Sequence, residues 1–270
     1  MTTYLDAILA AHRTAAAADH RSLAALEAQA ADMAAPRGFA RALRQVDGLG
    51  VIAEVKRRSP SKGALRPDLD PAETARLYAA GDATCLSVLT DVDHFGGSAD
   101  DLRAARAAVA LPVLRKDFTV CAADVYDARI MGADCVLLIA AALDDVELAE
   151  LHLRAVDVGL DVLVEIHDEA ELERALRVDA TLVGVNQRDL ITFAVDHERA
   201  MRMAPQMPAG VIRVAESGVR GPADAADLAR AGYHAVLVGE SVVTSNNPSE
   251  AVAALRRSTN HTTRAPEGSA

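Results

Sequence analysis

The chain has 270 residues, of which 51% are hydrophobic but only 3% aromatic, with no Trp and a formal charge of −11 at pH 7. A net negative field opposes a nucleic-acid backbone or an anionic membrane as principal partner, so an anionic small molecule has to be met by a local cluster of cations. The length suits one barrel domain of about 250 residues, and a core poor in aromatic bulk suits parallel strands packed under helices rich in small residues.

The first residues lack a basic start, and their apolar positions are diluted by Asp6, His12, Arg13 and Asp19. This reads as neither a signal peptide nor a membrane span. The three cysteines, Cys85, Cys121 and Cys135, are odd in number and two lie inside apolar runs, the pattern of reduced thiols. A cytoplasmic protein is expected, and a monomer, since no long apolar helix face stands out.

Leu5, Ile8, Leu9 and His12 recur at helical spacing, as do Leu23, Leu26, Ala30 and Met33, which predicts two amphipathic helices in an extension over residues 1–47. Short β-branched runs then begin at Val51, Ala83, Pro112, Cys135, Asp161, Leu182, Ile212 and Ala235, each followed by a loop and a helical stretch. Eight such units over residues 48–257 predict an α/β fold, a (β/α)8 TIM barrel behind the helical extension. Gly81, Gly132 and Gly232 each stand just before a strand as predicted helix stops, a weak internal repeat. The polar residues 258–270 are expected to form a disordered tail.

Functional side chains of such a barrel gather where strands end. Side chains alternate along a strand, so Glu54 and Lys56 share the face of Ile52, Lys116 that of Leu114, and Glu165 that of Leu163, while two further strands end at Asn186 and Glu216. One Lys or Glu at a strand end is usually solvated. Two lysines, three carboxylates and an amide converging on one mouth are a constellation for acid-base chemistry. The loops after the last two strands carry Ser217-Gly218 and Gly239-Glu240-Ser241, where Gly permits close backbone approach and Ser adds a hydroxyl, a pattern for holding a phosphate. The basic run Lys56-Arg57-Arg58-Ser59-Pro60-Ser61-Lys62-Gly63 reads as an anion-capturing loop at the same mouth. Asp91-Val92-Asp93-His94 lacks an evident fourth metal ligand and is expected to be a solvated loop, with no metal site. His167 reads as a hydrogen-bonding partner beside Glu165 rather than a reacting group. No cofactor-binding pattern such as a P-loop is present.

Seven ordered motifs carry a resemblance. Glu54-x-Lys56-x-x-Ser59-Pro60-Ser61-Lys62-Gly63, Ser87-Val-Leu-Thr-Asp91 with Phe95-Gly-Gly-Ser98, Leu111-Pro-Val-Leu-Arg-Lys-Asp-Phe118, Val164-Glu-Ile-His-Asp168, Gly184-Val-Asn-Gln-Arg-Asp-Leu190, Glu216-Ser-Gly-Val219 and Val236-Leu-Val-Gly-Glu-Ser241 resemble the strand-end motifs of indole-3-glycerol-phosphate synthases. The resemblance runs from about Gly48 to Ser241 and extends to the helices that cover the barrel mouth in that family. It implies a lyase of tryptophan biosynthesis that closes 1-(2-carboxyphenylamino)-1-deoxyribulose 5-phosphate, with loss of carbon dioxide and water, to indole-3-glycerol phosphate. It further implies as catalytic Lys116, the acid in ring closure, Glu165, the acid-base group of dehydration, the strand-one pair Lys56 and Glu54, whose lysine also helps hold the substrate, and Asn186, which with Glu216 orients the intermediate. Ser59 and Arg188 match contacts to the anthranilate carboxylate, Phe95 and Phe118 the walls around the ring, and Ser217, Gly218, Gly239 and Ser241 the phosphate cradle. Gln187, Cys121-Ala-Ala-Asp124 and Thr244-Ser-Asn-Asn247 depart from the commoner family pattern without touching a matched catalytic position. An isomerase acting one step earlier would be expected to end its first strand in Cys, and a silent scaffold to have lost its acids and bases.

Overall fold

The structure, a computed structural model, describes residues 3–189 and 191–260. Eight strands, β1 Gly50–Val55, β2 Cys85–Leu89, β3 Val113–Lys116, β4 Cys135–Ile139, β5 Asp161–Ile166, β6 Leu182–Asn186, β7 Ile212–Glu216 and β8 Ala235–Val238, close into one parallel barrel in sequential order, β8 pairing with β1. Each observed start lies within two residues of the position the hydrophobic pattern predicts. The strands are almost wholly buried, as expected of a sheet covered by helices outside and side chains within.

Three helices precede the barrel, α1 Tyr4–Ala17, α2 Leu23–Ala31 and α3 Phe39–Gln45, one more than the periodicity predicts. Only seven residues long, α3 is too short to show a helical period. It closes the floor: Phe39 and Leu43 are buried, the Phe39 carbonyl accepts from the Cys85 thiol, and Leu43 lies against Gly50. The helix α1 begins at a capping box between Thr3 and Asp6 and lies across the opposite end, its Ile8 buried.

Between strands run α4 Pro71–Ala80, α5 Val92–Phe95, α6 Ala99–Ala108, α7 Ala122–Met131, α8 Asp145–Asp157, α9 Glu169–Arg177, α10 His197–Met203, α11 Pro222–Arg230, α12 Glu240–Val243 and α13 Pro248–Asn260. The last of these runs three residues past the boundary drawn at 257, and the rest of the expected tail, 261–270, lies outside the described residues. Of the three repeat glycines, Gly132 and Gly232 have φ near +90°, the left-handed stop that favours Gly. Gly81 is there for space instead, since a Cβ would lie 2.3 Å from the Ser249 carbonyl oxygen of α13. Cys85, Cys121 and Cys135 are free thiols, and burial pushes the first and last far above the usual range. Contrary to expectation, α8 does show an apolar face, with Val146, Leu153 and Val156 exposed. No helix among the described residues is long and apolar enough to cross a membrane.

Candidate active site

Parallel register brings residues of equal orientation to equal height. Glu54 is partnered by Ser87, Leu89 by Lys116, Ile139 by Glu165, Glu165 by Gly184, and Asn186 by Glu216. The alternation that puts Leu114 or Leu163 into the barrel therefore delivers the charged residue two places on to its rim. There the strands enclose a cavity of about 480 Å³, ample for a small ligand. Its lining includes all fourteen residues singled out from the sequence: Glu54, Lys56, Ser59, Phe95, Lys116, Phe118, Glu165, Asn186, Arg188, Glu216, Ser217, Gly218, Gly239 and Ser241.

At the bottom of the cavity, Lys116 Nζ lies 3.2 Å from Glu165 Oε2 and 3.9 Å from Glu216 Oε2, the lysine half-buried and both glutamates buried. Asn186 Nδ2 donates to the other oxygen of Glu165 at 3.0 Å. Beside them Lys56 pairs with Glu54. Burial opposes the charge on Lys116, but Glu165, Glu216 and Glu54 outweigh it and hold the ammonium strongly protonated. The two carboxylates part company. Burial raises the pKa of Glu165, yet Lys116, His167 and Asn186 reverse the effect and keep it ionised. Burial and the neighbouring Glu165 charge push Glu216 well above the carboxylate range, which favours its protonated form. At the bottom of the mouth cavity one cation thus lies between two carboxyl groups pushed in opposite directions, and Glu216 Oε1 has no hydrogen-bond partner among the described residues.

Two glycines make this packing possible. A Cβ on Gly184 would sit 2.0 Å from Glu216 Oε1, and one on Gly239 would sit 2.3 Å from Glu54 Oε1 and 2.9 Å from Lys56 Nζ. Gly239, picked from sequence as part of a phosphate cradle, has this second reason to be Gly. On the same side Ser217 and Gly218 both take positive φ, and a Cβ on Gly218 would meet Val195 Cγ1 at 2.5 Å. Gln187, which departs from the family pattern, donates to the Ser217 carbonyl at 2.8 Å and so braces that turn. Ser241 spends its hydroxyl proton on the Val219 carbonyl at 3.1 Å, tying together the loops after β7 and β8. The hydroxyl therefore braces the cradle rather than standing free as a donor.

The basic loop after β1 is only in part what its sequence suggests. A two-residue hairpin pairs Arg58–Ser59 with Gly63–Ala64. Arg57 is committed to Asp101 and to the Gly96 and Leu69 carbonyls, and Arg58 to the Val92 and Asp93 carbonyls. Both clamp neighbouring segments. Lys56 and Lys62 are left lining the cavity, Lys62 with Glu240 at 3.5 Å. Arg188 lines it too while donating to the Phe193 carbonyl at 3.0 Å, inside a tight turn held by Asp189.

The expectation of a solvated loop at Asp91–His94 is wrong. Asp91 is buried, caps α5 through the His94 and Phe95 amides, and receives His12 Nε2 of α1 at 3.0 Å and His94 Nδ1 at 3.1 Å. His12, Asp91 and Asp117 bring potential ligand atoms within 4.8 Å of one another. Asp117, however, already accepts from Thr90, Arg115 and its neighbouring Phe118 amide, so the cluster is a hydrogen-bonded knot in which Arg115 pairs with Asp117 and the two histidines with Asp91. His167 Nδ1 lies 3.1 Å from Glu171, and Nε2 lies 3.6 Å from the Glu165 carboxylate. Tyr4, Leu5 and Ile8 of α1, with Phe193 and Val195, also line the cavity. Helical spacing flagged Leu5, Ile8 and His12 as one face, but nothing local says which part of the barrel that face meets.

A profile of the family described as indole-3-glycerol phosphate synthase matches residues 5–255. An indole-3-glycerol phosphate synthase of Nocardioides sp. strain JS614 is 54% identical over 231 residues, 86% of this chain and 88% of that protein. One from Mycobacterium sp. strain KMS is 50% identical over 255 residues, covering 94% and 93%. Among solved structures, thiamine phosphate pyrophosphorylase from Pyrococcus furiosus superposes with a TM-score of 0.61 at 16% identity, over 80% of this chain and 98% of that one, a likeness of fold alone.

Proposed function

This chain belongs to the indole-3-glycerol phosphate synthase family, and from that premise we propose how its cavity divides the labour of the family's reaction. The enzyme is a carbon-carbon lyase of tryptophan biosynthesis: 1-(2-carboxyphenylamino)-1-deoxyribulose 5-phosphate closes its pyrrole ring and loses carbon dioxide and water to give indole-3-glycerol phosphate. The arene carbon that bears the carboxylate attacks the ribulose carbonyl, whose oxygen needs a proton. Carbon dioxide then leaves, its bonding electrons restoring the aromatic ring. The new hydroxyl departs as water while a base removes the proton on the adjacent carbon.

The observation that carries the assignment is the Lys116, Glu165 and Glu216 cluster, one cation between two carboxyl groups whose surroundings push their pKa values in opposite directions. Lys116 meets the carbonyl oxygen as negative charge builds on it and delivers the proton, a role most valuable in a buried site of low dielectric. Glu165, ionised in the free site, acts as base and then returns a proton in dehydration, with Asn186 fixing its orientation. Glu216, which lines the cavity beside Lys116, orients the intermediate by hydrogen bonding. Carboxyl groups driven apart in pKa by their surroundings are the usual arrangement for paired acid and base work.

The rest of the cavity positions the substrate. Phe95 and Phe118, with ring centroids 6.3 Å apart, wall the aromatic end. Ser59, Arg188 and Lys56 serve the carboxylate, with Glu54 holding Lys56 in place. Ser217 and Gly218 after β7 and Gly239 and Ser241 after β8 cradle the phosphate through backbone amides, a common use of these loops in such barrels. The scheme uses side-chain acids and bases alone. We take the enzyme to work in the cytoplasm without a nucleic-acid partner, and sedimentation tests the expected monomer against the exposed Val146, Leu153 and Val156 of α8.

The test is direct: supply the carboxyphenylamino-deoxyribulose phosphate and follow indole-glycerol phosphate fluorescence. Absence of product at micromolar enzyme would sink the reading. Glu165→Gln then separates the steps. It should accumulate a cyclised, still hydrated intermediate, and normal product formation would remove Glu165 from the role given to it.

A further inference from the structure

The Asp91 knot lies outside the acid-base machinery, yet it ties three cavity walls together. His12 is 12 residues into the chain and packs its ring on Phe118, centroids 5.3 Å apart, while its Nε2 reaches Asp91 at 3.0 Å. Asp91 in turn caps the single turn of α5 that ends in Phe95. The other end of α1 meets the same turn, Tyr4 standing edge-on to His94 at 5.9 Å and to Phe193 at 5.6 Å. One histidine therefore touches one aromatic wall directly, holds the other through a helix cap, and fastens the helix whose Tyr4, Leu5 and Ile8 roof the cavity.

We propose that His12, as an imidazolium, is the positioning residue for the aromatic end of the substrate, holding Phe95 and Phe118 at their spacing and α1 across the mouth through its bond to Asp91. The proposal rests on the reading that this end of the cavity receives the anthranilate ring. The groups facing His12 are Asp91 and His94 of the α5 turn, Asp117 just after β3, with Oδ1 at 4.0 Å, and Asp124 of α7. Arg115 sits behind Asp117 and bonds it from the far side. Carboxylates outnumber cations around the ring. The hydrogen bond to Asp91 leads, burial opposes it, and Asp117 adds to it, so the ring stays protonated above the usual histidine range. As pH rises through that raised value the charge is lost, the bond to Asp91 weakens, and the roof loosens while Lys116 and Glu165 stay as they were.

Steady-state kinetics of the parent, His12→Gln and His12→Lys between pH 6 and pH 9 test this. His12→Gln should raise KM about fivefold at pH 6.5, the scale of one partly buried charged contact, with kcat within about twofold. The KM of the parent should climb toward that of His12→Gln as pH rises, and His12→Lys, cationic throughout, should hold a low KM and abolish the climb. An unchanged KM in His12→Gln at every pH, or an alkaline climb that persists in His12→Lys, overturns the proposal while leaving the reaction itself intact. A readout independent of catalysis is the His12 ring resonance in the free enzyme. It should titrate above free imidazole and shift downward in Asp91→Asn, and a free-imidazole titration unmoved by Asp91→Asn overturns the proposal whatever the enzyme turns over.

Discussion

The two ends of this barrel bury charge in opposite ways. At the floor, the wholly buried Asp134 accepts from the Arg37 amide at 2.6 Å, the Val113 amide at 2.8 Å and the Arg106 guanidinium. Arg37 spends its own guanidinium on the Val109, Leu111 and Arg106 carbonyls, and Asp161 takes the Ala40 amide at 2.9 Å. Those charges sew the extension to the strand starts. At the mouth, three glutamates face two lysines, the pKa of Glu216 is pushed up by burial and Glu165, and Glu216 Oε1 is left unpartnered among the described residues. Fully hydrogen-bonded charge at the floor fixes the fold, and crowded ionisable groups line the cavity at the mouth, the division expected where catalysis belongs to one end of a barrel and stability to the other.

The sharpest way to break the comparison is at Lys116. Lys116→Met should lower kcat about 10²-fold or more with little change in KM, because a proton donor acts on charge that develops in the transition state. Turnover near that of the parent would take the acid role from Lys116. The matching change at the floor is Asp134→Asn, which keeps the shape but loses a charge-assisted acceptor for three donors. It should cost about 2 kcal/mol of stability, read by denaturant unfolding, and leave kcat within about twofold. A large loss of turnover in a folded Asp134→Asn protein would erase the distinction between the two ends.

Gly218→Val probes the phosphate side of the mouth. The residue has φ +73°, and a Cβ there would lie 2.5 Å from Val195, so both strain and contact displace the turn. KM should rise about tenfold and kcat fall less, since Lys116 is untouched. Equal affinity for substrate, with inorganic phosphate failing to compete, would move the phosphate elsewhere.

The last test is a pH dependence of stability. Glu216 has a folded pKa raised above its ordinary value of 4.5 by burial and by Glu165, so the folded chain holds a proton that the unfolded chain releases. Its contribution is present below pH 4.5 and is lost as pH rises toward the folded value, at up to about 1.4 kcal/mol per pH unit. Glu165 has the opposite sign: its stabilisation is present above the ordinary carboxylate range and lost as pH falls through its lowered value. Glu216→Gln, neutral at every pH, should therefore gain in melting temperature over the parent between pH 5 and pH 8. A constant difference across that range would mean that Glu216 is ionised in the free enzyme.

The sequence by itself determined the eight strands and the faces they turn inward. Alternation is a local property of extended chain, so Ile52 inside puts Glu54 inside, and Leu114 inside puts Lys116 inside, wherever neighbouring strands lie. Registers between strands then had only to be parallel for the strand-end residues to reach one rim. Residue type alone also marked Gly218 and Gly239, although the space that Gly239 leaves for Glu54 is visible only with the barrel closed. What tertiary structure decided is which charges are spent. Arg57, Arg58 and Lys62 look equivalent in one basic run, yet both arginines find acceptors and become clamps while Lys62 stays at the cavity. Asp91 reads as a loop carboxylate until α1, 79 residues earlier, brings His12 over it and buries it. Glu165 and Glu216 are indistinguishable as strand-end glutamates, and only their unequal shares of Lys116, Asn186 and one another make one an anion and the other an acid. Protonation and pairing depend on distances between residues remote in sequence, in a medium that no longer screens them as water does, and the spacing of residues along a chain carries no record of those distances.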